Sequence, residues 1–533
     1  MSIDVHPFTD EYAEFLRDES RSTGYAESIS FPSNGEELAA VIGNPSLEDT
    51  PLTIQGGRTG LSAAAVPQGG HIINLSRMDR ILGARLEADG SAFVTVQPGV
   101  VLGTLRKALL RGETDTEGWD ENSLEAWRSI TGGKYFFSPD PTETSATIGG
   151  MVGCGASGAR SFGFGSVRSY VESMRLVLAD GRTLSLRRGE NFADGRVFAL
   201  TCDDGSTVSG VLPNHLMPNV KNASGYYITP GMDMLDLFIG GEGTLAIASE
   251  IELRLRPSPA ACWGITSFFP DEKSALRFVR CLRGDACSAS AFSHRPIAIE
   301  FFDERSLRLL REKKRTTAAF AAIQEIKESY NCAVYTELHG DGDDKLFALL
   351  AEFTALLALC GGDGNETWAA VNSRDMEKLQ FFRHAVPECV NMTIDERRKT
   401  SPTITKLGTD MAVTDRDLEW VMAMYRRDLD AAGLDYVVFG HIGSNHLHVN
   451  ILPRDSGEYA TGKALYLKWA REISARGGTV SAEHGVGKLK ADFFAVMAGE
   501  KRLDELRALK SLFDPGFRLN PGNMFSPGEE VRK

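Results

Sequence analysis

Four of the ten histidines in this chain fall in two short glycine-bearing turns near its end. The first turn, His441-Ile-Gly-Ser-Asn-His-Leu-His448, sits between Tyr436-Val-Val-Phe-Gly440 and Val449-Asn-Ile-Leu452. Runs of β-branched and aromatic residues flanking a polar turn read as two strands of one hairpin. If His441 ends one strand and His448 begins the next, their rings sit across the ladder from one another. Neutral imidazoles so placed suit a divalent transition metal. His446 shares parity with His448 and competes as a ligand, although its place at the loop tip predicts an exposed ring. The second turn, Thr479-Val-Ser-Ala-Glu-His-Gly-Val-Gly487, adds Glu483 and His484. Neighbours in a regular strand point to opposite faces, so one of the pair can bind metal while the other faces a substrate. Gly485 and Gly487 let the chain bend there.

Three other segments are dense in glycine: Gln55 to Ser62, Asp140 to Gly158, and Phe238 to Ile247. Glycine lets backbone N–H groups approach an anion without Cβ interference and permits positive φ. Three such segments in one half-chain, each next to an apolar run, together form a cradle that can wrap a dinucleotide.

The elements that must position these residues follow from pattern. Residues 34–42 read as a capped helix with Ser33 or Asn34 as the cap. Strands are expected at 52–54, 70–75, 92–97, 171–178, 183–186 and 244–255, with Ala179-Asp-Gly-Arg182 turning one hairpin. A helix is expected at 100–110. Residues 112–129 read as a polar surface insertion and 187–220 as an irregular one. Pro257-Ser-Pro259 marks a boundary. Beyond it, strands at 265–269, 297–302 and 333–338 alternate with helices at 271–282 and 344–359, and a further helix covers 415–432. That is an α+β pattern.

At 533 residues the chain exceeds what one core serves. A net charge of −14 speaks against a nucleic-acid partner, since phosphate binding needs a basic footprint. The first residues carry neither a basic n-region nor an apolar h-region, and no apolar run approaches the ~20 residues that span a bilayer. The 8 cysteines, Cys287 among them, form no C-x-x-C pair, so they read as reduced thiols. A soluble cytoplasmic protein is expected, with peripheral contact at the inner face of a membrane left open.

In combination, the motifs resemble those of a known family. Gly56-Gly-Arg-Thr-Gly-Leu-Ser62, Asp140-Pro-Thr-Glu-Thr-Ser-Ala-Thr-Ile-Gly-Gly150, the Gly-Glu-Gly-Thr-Leu run ending at Leu245, the two histidine turns and Phe513-Asp-Pro through Gly522 are similar to those of FAD-dependent oxidoreductases of the vanillyl-alcohol-oxidase superfamily. Within it, the likeness is to the glycolate oxidase flavoprotein subunit, D-lactate dehydrogenase and D-2-hydroxyglutarate dehydrogenase group. The resemblance implies a two-subdomain FAD-binding domain of the PCMH type over 1–257, to which 501–533 returns, and an α+β cap (the FAD-linked oxidase C-terminal domain) over 258–500. It implies that Gly56, Gly57, Thr59, Gly60, Leu61 and Ser62 hold the pyrophosphate, with Arg58 either pairing with phosphate or solvated. Pro141, Thr142, Ser145, Ile148, Gly149, Gly150, Ala156, Ser157, Glu242, Gly243 and Ile247 would line the cofactor, and Asn520 would lie near the isoalloxazine edge. His441, His448 and Glu483 would hold a divalent metal, zinc or manganese, and His484 would take the hydroxyl proton. Arg383 would grip the substrate carboxylate, a task suited to a guanidinium fork, and Lys406 would be a second anion contact.

The implied activity is oxidation of a small D-2-hydroxy acid (D-lactate, glycolate or D-2-hydroxyglutarate) to the 2-oxo acid, with hydride passing to flavin N5. The electron acceptor is left as a quinone, a cytochrome or an electron-transfer flavoprotein, and a homodimer is left open. Two rivals stand beside this: a flavin transferase like alkyl-dihydroxyacetone-phosphate synthase, and a noncatalytic flavoprotein subunit. The chain departs from the family pattern in two loops. Ser444, Asn445 and His446 replace the usual D-G-N of H-x-G-D-G-N-x-H, and Gln55 and Arg58 stand where Arg and Gly are common. No histidine lies between Gln55 and Ser62, so FAD is expected to be noncovalent.

Overall fold

The computed structural model describes residues 5–285 and 291–526; Cys287 and both extreme termini lie outside the described residues. The first sheet runs His6–Pro7, Ser28–Ser30, His71–Asn74, Leu52–Gln55. Its last three strands are parallel. Parallel strands need a crossover, and the helix Gly35–Ile42 supplies the one from Ser28–Ser30 to Leu52–Gln55, burying Leu38, Val41 and Ile42. Asn34 caps it, its side chain accepting from Glu37 N, as the spacing predicts.

The second sheet is antiparallel, in the order Ile81–Leu86, Ala92–Val96, Ile247–Pro257, Val171–Val177, Thr183–Arg187. The expected hairpin turn at 179–182 places Val177 opposite Thr183. The third sheet runs Trp368–Ala370, Ala261–Phe269, Cys332–Gly340, Ala298–Phe302, Tyr436–His441, His446–Ile451, Leu407–Gly408, and Met411–Ala412 also pairs with His446–Ile451. One apolar core is built from the second sheet and its helices, and Val486, Phe494, Leu503 and on to Phe525 come back to join it. Another gathers side chains from Ala261 to Val480. Mixed helix and strand in two such bodies is the α+β class expected.

Two expectations fail. Within the supposed polar insertion, Glu121–Ile130 is a helix capped by Asp120 that buries Ala126, Trp127 and Ile130. Only three apolar residues mark its inner face, too few to stand out among polar neighbours. The supposedly irregular 187–220 holds the hairpin Val197–Thr201 with Thr207–Val211. Its first strand alternates buried and exposed residues, a period-2 signal hidden by the short strand length.

Candidate active site

A cavity of about 310 Å³ is walled by 56–62, by parts of 141–158 and 242–248, and by Glu483, His484 and Gly485. Its volume falls in the range of small-molecule sites. All three glycine segments reach it. Their glycines do different work. A Cβ on Gly56 would lie 2.3 Å from Thr147 Oγ1, and one on Gly57 2.8 Å from Ser145 O, so these two let the loops touch. A Cβ on Gly60 or Gly153 would meet nothing within 4 Å, so these two face open space. The backbone N–H groups of residues 58–62 have no hydrogen-bond acceptor among the described residues. A run of unpaired N–H groups along a cavity wall is an anion cradle, and it fits a pyrophosphate.

Arg58 takes φ +55, and its guanidinium bonds Glu14 and lies 4.3 Å over the Phe15 ring. Asn520 joins two walls: its Oδ1 accepts from Ile54 N at 2.7 Å, and its Nδ2 donates to Glu242 O at 2.7 Å. The Glu242 carboxylate in turn accepts from Val486 N at 2.6 Å and Gly487 N at 2.9 Å.

The imidazole cluster abuts this cavity. Strand register pairs His441 with His446 and Phe439 with His448, so the two predicted ligands are offset by one step of the ladder rather than opposed. Period 2 keeps all three rings on one face. Centroids are 5.4 Å apart for His441–His446 and His441–His448, and 4.4 Å for His446–His448. The expected exposure of His446 is wrong. The strand begins at His446, not Val449, and the ring is 0 % exposed.

Glu483 meets the three rings. His441 Nε2 is 3.1 Å and His448 Nε2 3.4 Å from its Oε1, and His446 Nδ1 is 3.9 Å from its Oε2. Two donors about 2.1 Å from one ion and about 90–109° apart are about 3.0–3.4 Å from each other, so the His441 and His448 separations fit a shared cation with Glu483. The far nitrogens are held from behind, His441 Nδ1 2.7 Å from Glu300 Oε1 and His448 Nδ1 3.0 Å from Thr409 O. Such outer partners fix the tautomer and ring plane of metal-binding histidines. Lys221 Nζ also reaches Glu483 Oε2, at 2.5 Å.

Because 481–487 is not a regular strand, Glu483 and His484 do not diverge to opposite faces. His484 Nε2 lies 3.5 Å from Glu483 Oε1, and its Nδ1 3.4 Å from Asp410 Oδ2. Asp410, 1 % exposed, also accepts from His484 N, Ser481 Oγ and Lys490 Nζ.

Burial dominates at His484 and outweighs the opposing Asp410, lowering the ring to about 4. It is therefore neutral at neutral pH and free to accept a proton. At His441, burial is overcome by Glu300 and Glu483, which raise it to about 9. Burial would also raise Glu483, but His441, Lys221 and His446 hold it well below the usual carboxylate range.

Arg383 lies on the helix Ser373–Arg398, its guanidinium 4.7 Å over the Tyr335 ring and 3.8 Å from Glu300 Oε2, with Nε unpartnered. Glu300 thus links it to His441. Lys406 is not brought to the cluster by any contact among the described residues; burial and then Arg21 lower its ammonium. Of the cofactor residues, Ser145 is exposed and Ile148 lies in the core, so neither lines the cavity; the others do. Thr147, Cys154 and Asn523 line it without having been singled out, and Glu300, Asp410, Lys221 and Lys490 were missed around the cluster. Glu300 did carry a signal. A lone carboxylate inside Ala298-Ile-Glu-Phe-Phe302, every residue of which is buried, demands a partner.

The FAD binding domain family matches residues 26–115 and 122–187, and the family of FAD linked oxidases, C-terminal domain, matches residues 265–524. The D-2-hydroxyglutarate dehydrogenase of Stutzerimonas stutzeri (strain A1501) is 25% identical over 511 residues, covering 94% of this chain and 91% of that one. The D-lactate dehydrogenase of Anaerostipes hadrus is 28% identical over 524 residues, covering 96% and 92%. The structure of p-cresol methylhydroxylase with substrate bound shares the fold, with a TM-score of 0.66 at 14% identity over 98% of this chain and 94% of that one. Among the described residues no helix is long and apolar enough to cross a membrane. With a PCMH-type FAD-binding domain followed by the C-terminal domain of FAD linked oxidases, the two matched along most of its length, the chain belongs to the FAD-linked oxidases and is a flavin oxidoreductase.

Proposed function

We propose that this chain is an FAD-dependent dehydrogenase that oxidises a small D-2-hydroxy acid to the 2-oxo acid. One observation carries the reading: Glu483 and His484 line the flavin cavity while Glu483 also meets His441 and His448 within 3.4 Å. Relatives that act, by their names, on D-lactate and D-2-hydroxyglutarate support the substrate class. Residues 56–62 would hold the pyrophosphate, and His441, His448 and Glu483 a divalent ion, zinc or manganese. Bound FAD supplies a two-electron acceptor, and the ion a Lewis acid that makes the substrate hydroxyl more acidic.

The chain's own side chains do the rest. Arg383, backed by Tyr335 and Glu300, binds the carboxylate and so fixes which face of C2 is presented. His484, neutral at neutral pH, accepts the hydroxyl proton, and Asp410 at 3.4 Å stabilises the imidazolium that results. Lys406 is assigned a second anion contact. The same reading divides the chain into a flavin-holding part, 1–257 with 501–533, and a cap, 258–500; the packing of Leu503 to Phe525 in the first core supports it, and Val486 and Phe494 join that core from within the assigned cap.

The test is anaerobic mixing of the yellow protein with a panel of D- and L-hydroxy acids, with and without chelator. Bleaching of the flavin band by a D-acid, abolished by chelator, is expected. No bleaching by any hydroxy acid overturns the proposal and favours a transferase without net oxidation, or a noncatalytic subunit.

A further inference from the structure

We propose that His446 is a fourth protein ligand, so that this chain holds its metal with three imidazoles and one carboxylate. The inference rests on the metal assigned above and goes beyond it, because the related H-x-G-D-G-N-x-H loop carries asparagine where this chain has His446. The ring is 0 % exposed, and neither nitrogen makes a directed hydrogen bond. Nε2 does lie 3.0 Å from Asp410 Oδ1, but off the line an N–H donor needs. Nδ1 faces the cluster instead, 3.9 Å from Glu483 Oε2. Ligand atoms of His441, His446, His448 and Glu483 all lie within 4.8 Å of one another.

The three rings also share one plan. Each has one nitrogen on the Glu483 side and the other beside an oxygen behind it, hydrogen-bonded for His441 (Glu300) and His448 (Thr409 O) and close but not aligned for His446 (Asp410 Oδ1, 3.0 Å). A histidine kept only for packing has no reason to repeat that arrangement. The bland alternative is a core histidine satisfied by Asp410, and it leaves Nδ1 without a partner in full burial. Lys221 shares Glu483 Oε2, but its side chain is long and flexible, whereas His446 is fixed in a strand. Four protein donors fill a tetrahedral ion. A six-coordinate ion keeps two positions, the number a hydroxyl and its adjacent carboxylate can take.

The experiment uses the full chain with FAD bound, stripped by chelator and titrated with Zn2+ and, separately, Co2+. His446→Asn is expected to bind both ions at least 10–100-fold more weakly, the usual loss when even an outer partner is removed, and to change the visible Co2+ spectrum. Retained flavin absorbance and an unchanged unfolding midpoint certify that the variant is folded. X-ray absorption of the zinc-loaded wild type is expected to count three imidazoles, and that measurement decides the matter if the variant does not fold. Unchanged affinity and spectrum in the folded variant, or two imidazoles in the wild type, overturn the inference and leave the proposed function standing. A wild type that binds neither ion overturns the metal in both.

Discussion

Glu300→Gln separates two effects that act on His441 in opposite directions. Glu300 is 5 % exposed, 2.7 Å from His441 Nδ1 and 3.8 Å from Arg383. Glutamine keeps an acceptor oxygen but loses the charge. Losing an outer carboxylate typically weakens metal binding 10–100-fold, or about 1.4–2.8 kcal/mol. Against this, an ion must displace a proton from His441, which Glu300 helps to raise to about 9. At pH 7 that displacement costs on the order of 3 kcal/mol, and removing Glu300 lessens it. At a pH of about 9.5 the ring is already deprotonated and the proton term vanishes.

The variant's loss of zinc affinity is therefore expected to be larger at about pH 9.5, near the full 10–100-fold, than at about pH 7. The fold should survive. Breaking a buried ion pair costs about 3–5 kcal/mol, and Glu300 pairs with His441 at 2.7 Å, but the glutamine amide oxygen still accepts from His441 Nδ1, Glu483 still faces Nε2 at 3.1 Å, and Arg383 keeps Tyr335 beneath it. Competition titration against a chelator at both pH values, with urea unfolding as control, provides the measurement. An equal loss at both pH values refutes the proton argument. No loss at either shows that His441 is oriented without Glu300.

Acid sensitivity is expected from His71, which is 0 % exposed between Ser28 Oγ and Ser30 Oγ at 2.8 Å each, and which burial lowers to about 4. Its folded value lies below the unfolded one, so the unfolded chain binds the proton more readily, and stability falls as pH drops from about 6.5 to about 4, by about 3 kcal/mol. His71→Gln should flatten urea midpoints over that range; an unchanged slope removes His71 as the cause. Gly56→Ala drives a Cβ to 2.3 Å from Thr147 Oγ1 and should cost about 1–3 kcal/mol of apoprotein stability. Gly60→Ala meets no protein atom within 4 Å, so it should leave the apoprotein's unfolding unchanged and lower only the flavin-to-protein ratio.

What was legible in the sequence was whatever had a local period or a local composition. The capped helix at Gly35–Ile42, the hairpin after Val177 and the three glycine walls all fall in this class. The proposed metal residues were legible as a cluster because glycine and histidine are rarely so dense together. Their partners were not. Asp410 and Lys221 reach Glu483 or its backbone across 73 and 262 residues, and no spacing rule spans such distances. His446 was misplaced for a different reason. Polar residues between two apolar runs look like a loop, and the pairing of His446–Ile451 with Tyr436–His441 on one side and Met411–Ala412 on the other shows that the polar stretch is strand.

Carboxylate contacts explain how His484 is brought to the cavity wall. Two buried carboxylates from different parts of the fold hold consecutive N–H groups of one irregular segment. Asp410 takes those of Glu483 at 3.3 Å and His484 at 3.0 Å; Glu242 takes those of Val486 and Gly487. A charged acceptor in a low-dielectric setting makes stronger bonds than a backbone carbonyl would, so the segment needs no regular secondary structure to stay in place. The two grips differ in charge state. Burial would raise Asp410, but His484 and Lys490 hold it well below its usual range, whereas at Glu242 burial prevails and the carboxyl is raised. As pH falls, Glu242 therefore protonates first, and the flavin side of the segment loosens while Asp410 still fixes the side that carries Glu483 and His484. The proposed metal site and base stay together as a unit, and the joint between that unit and the cofactor is the weaker one.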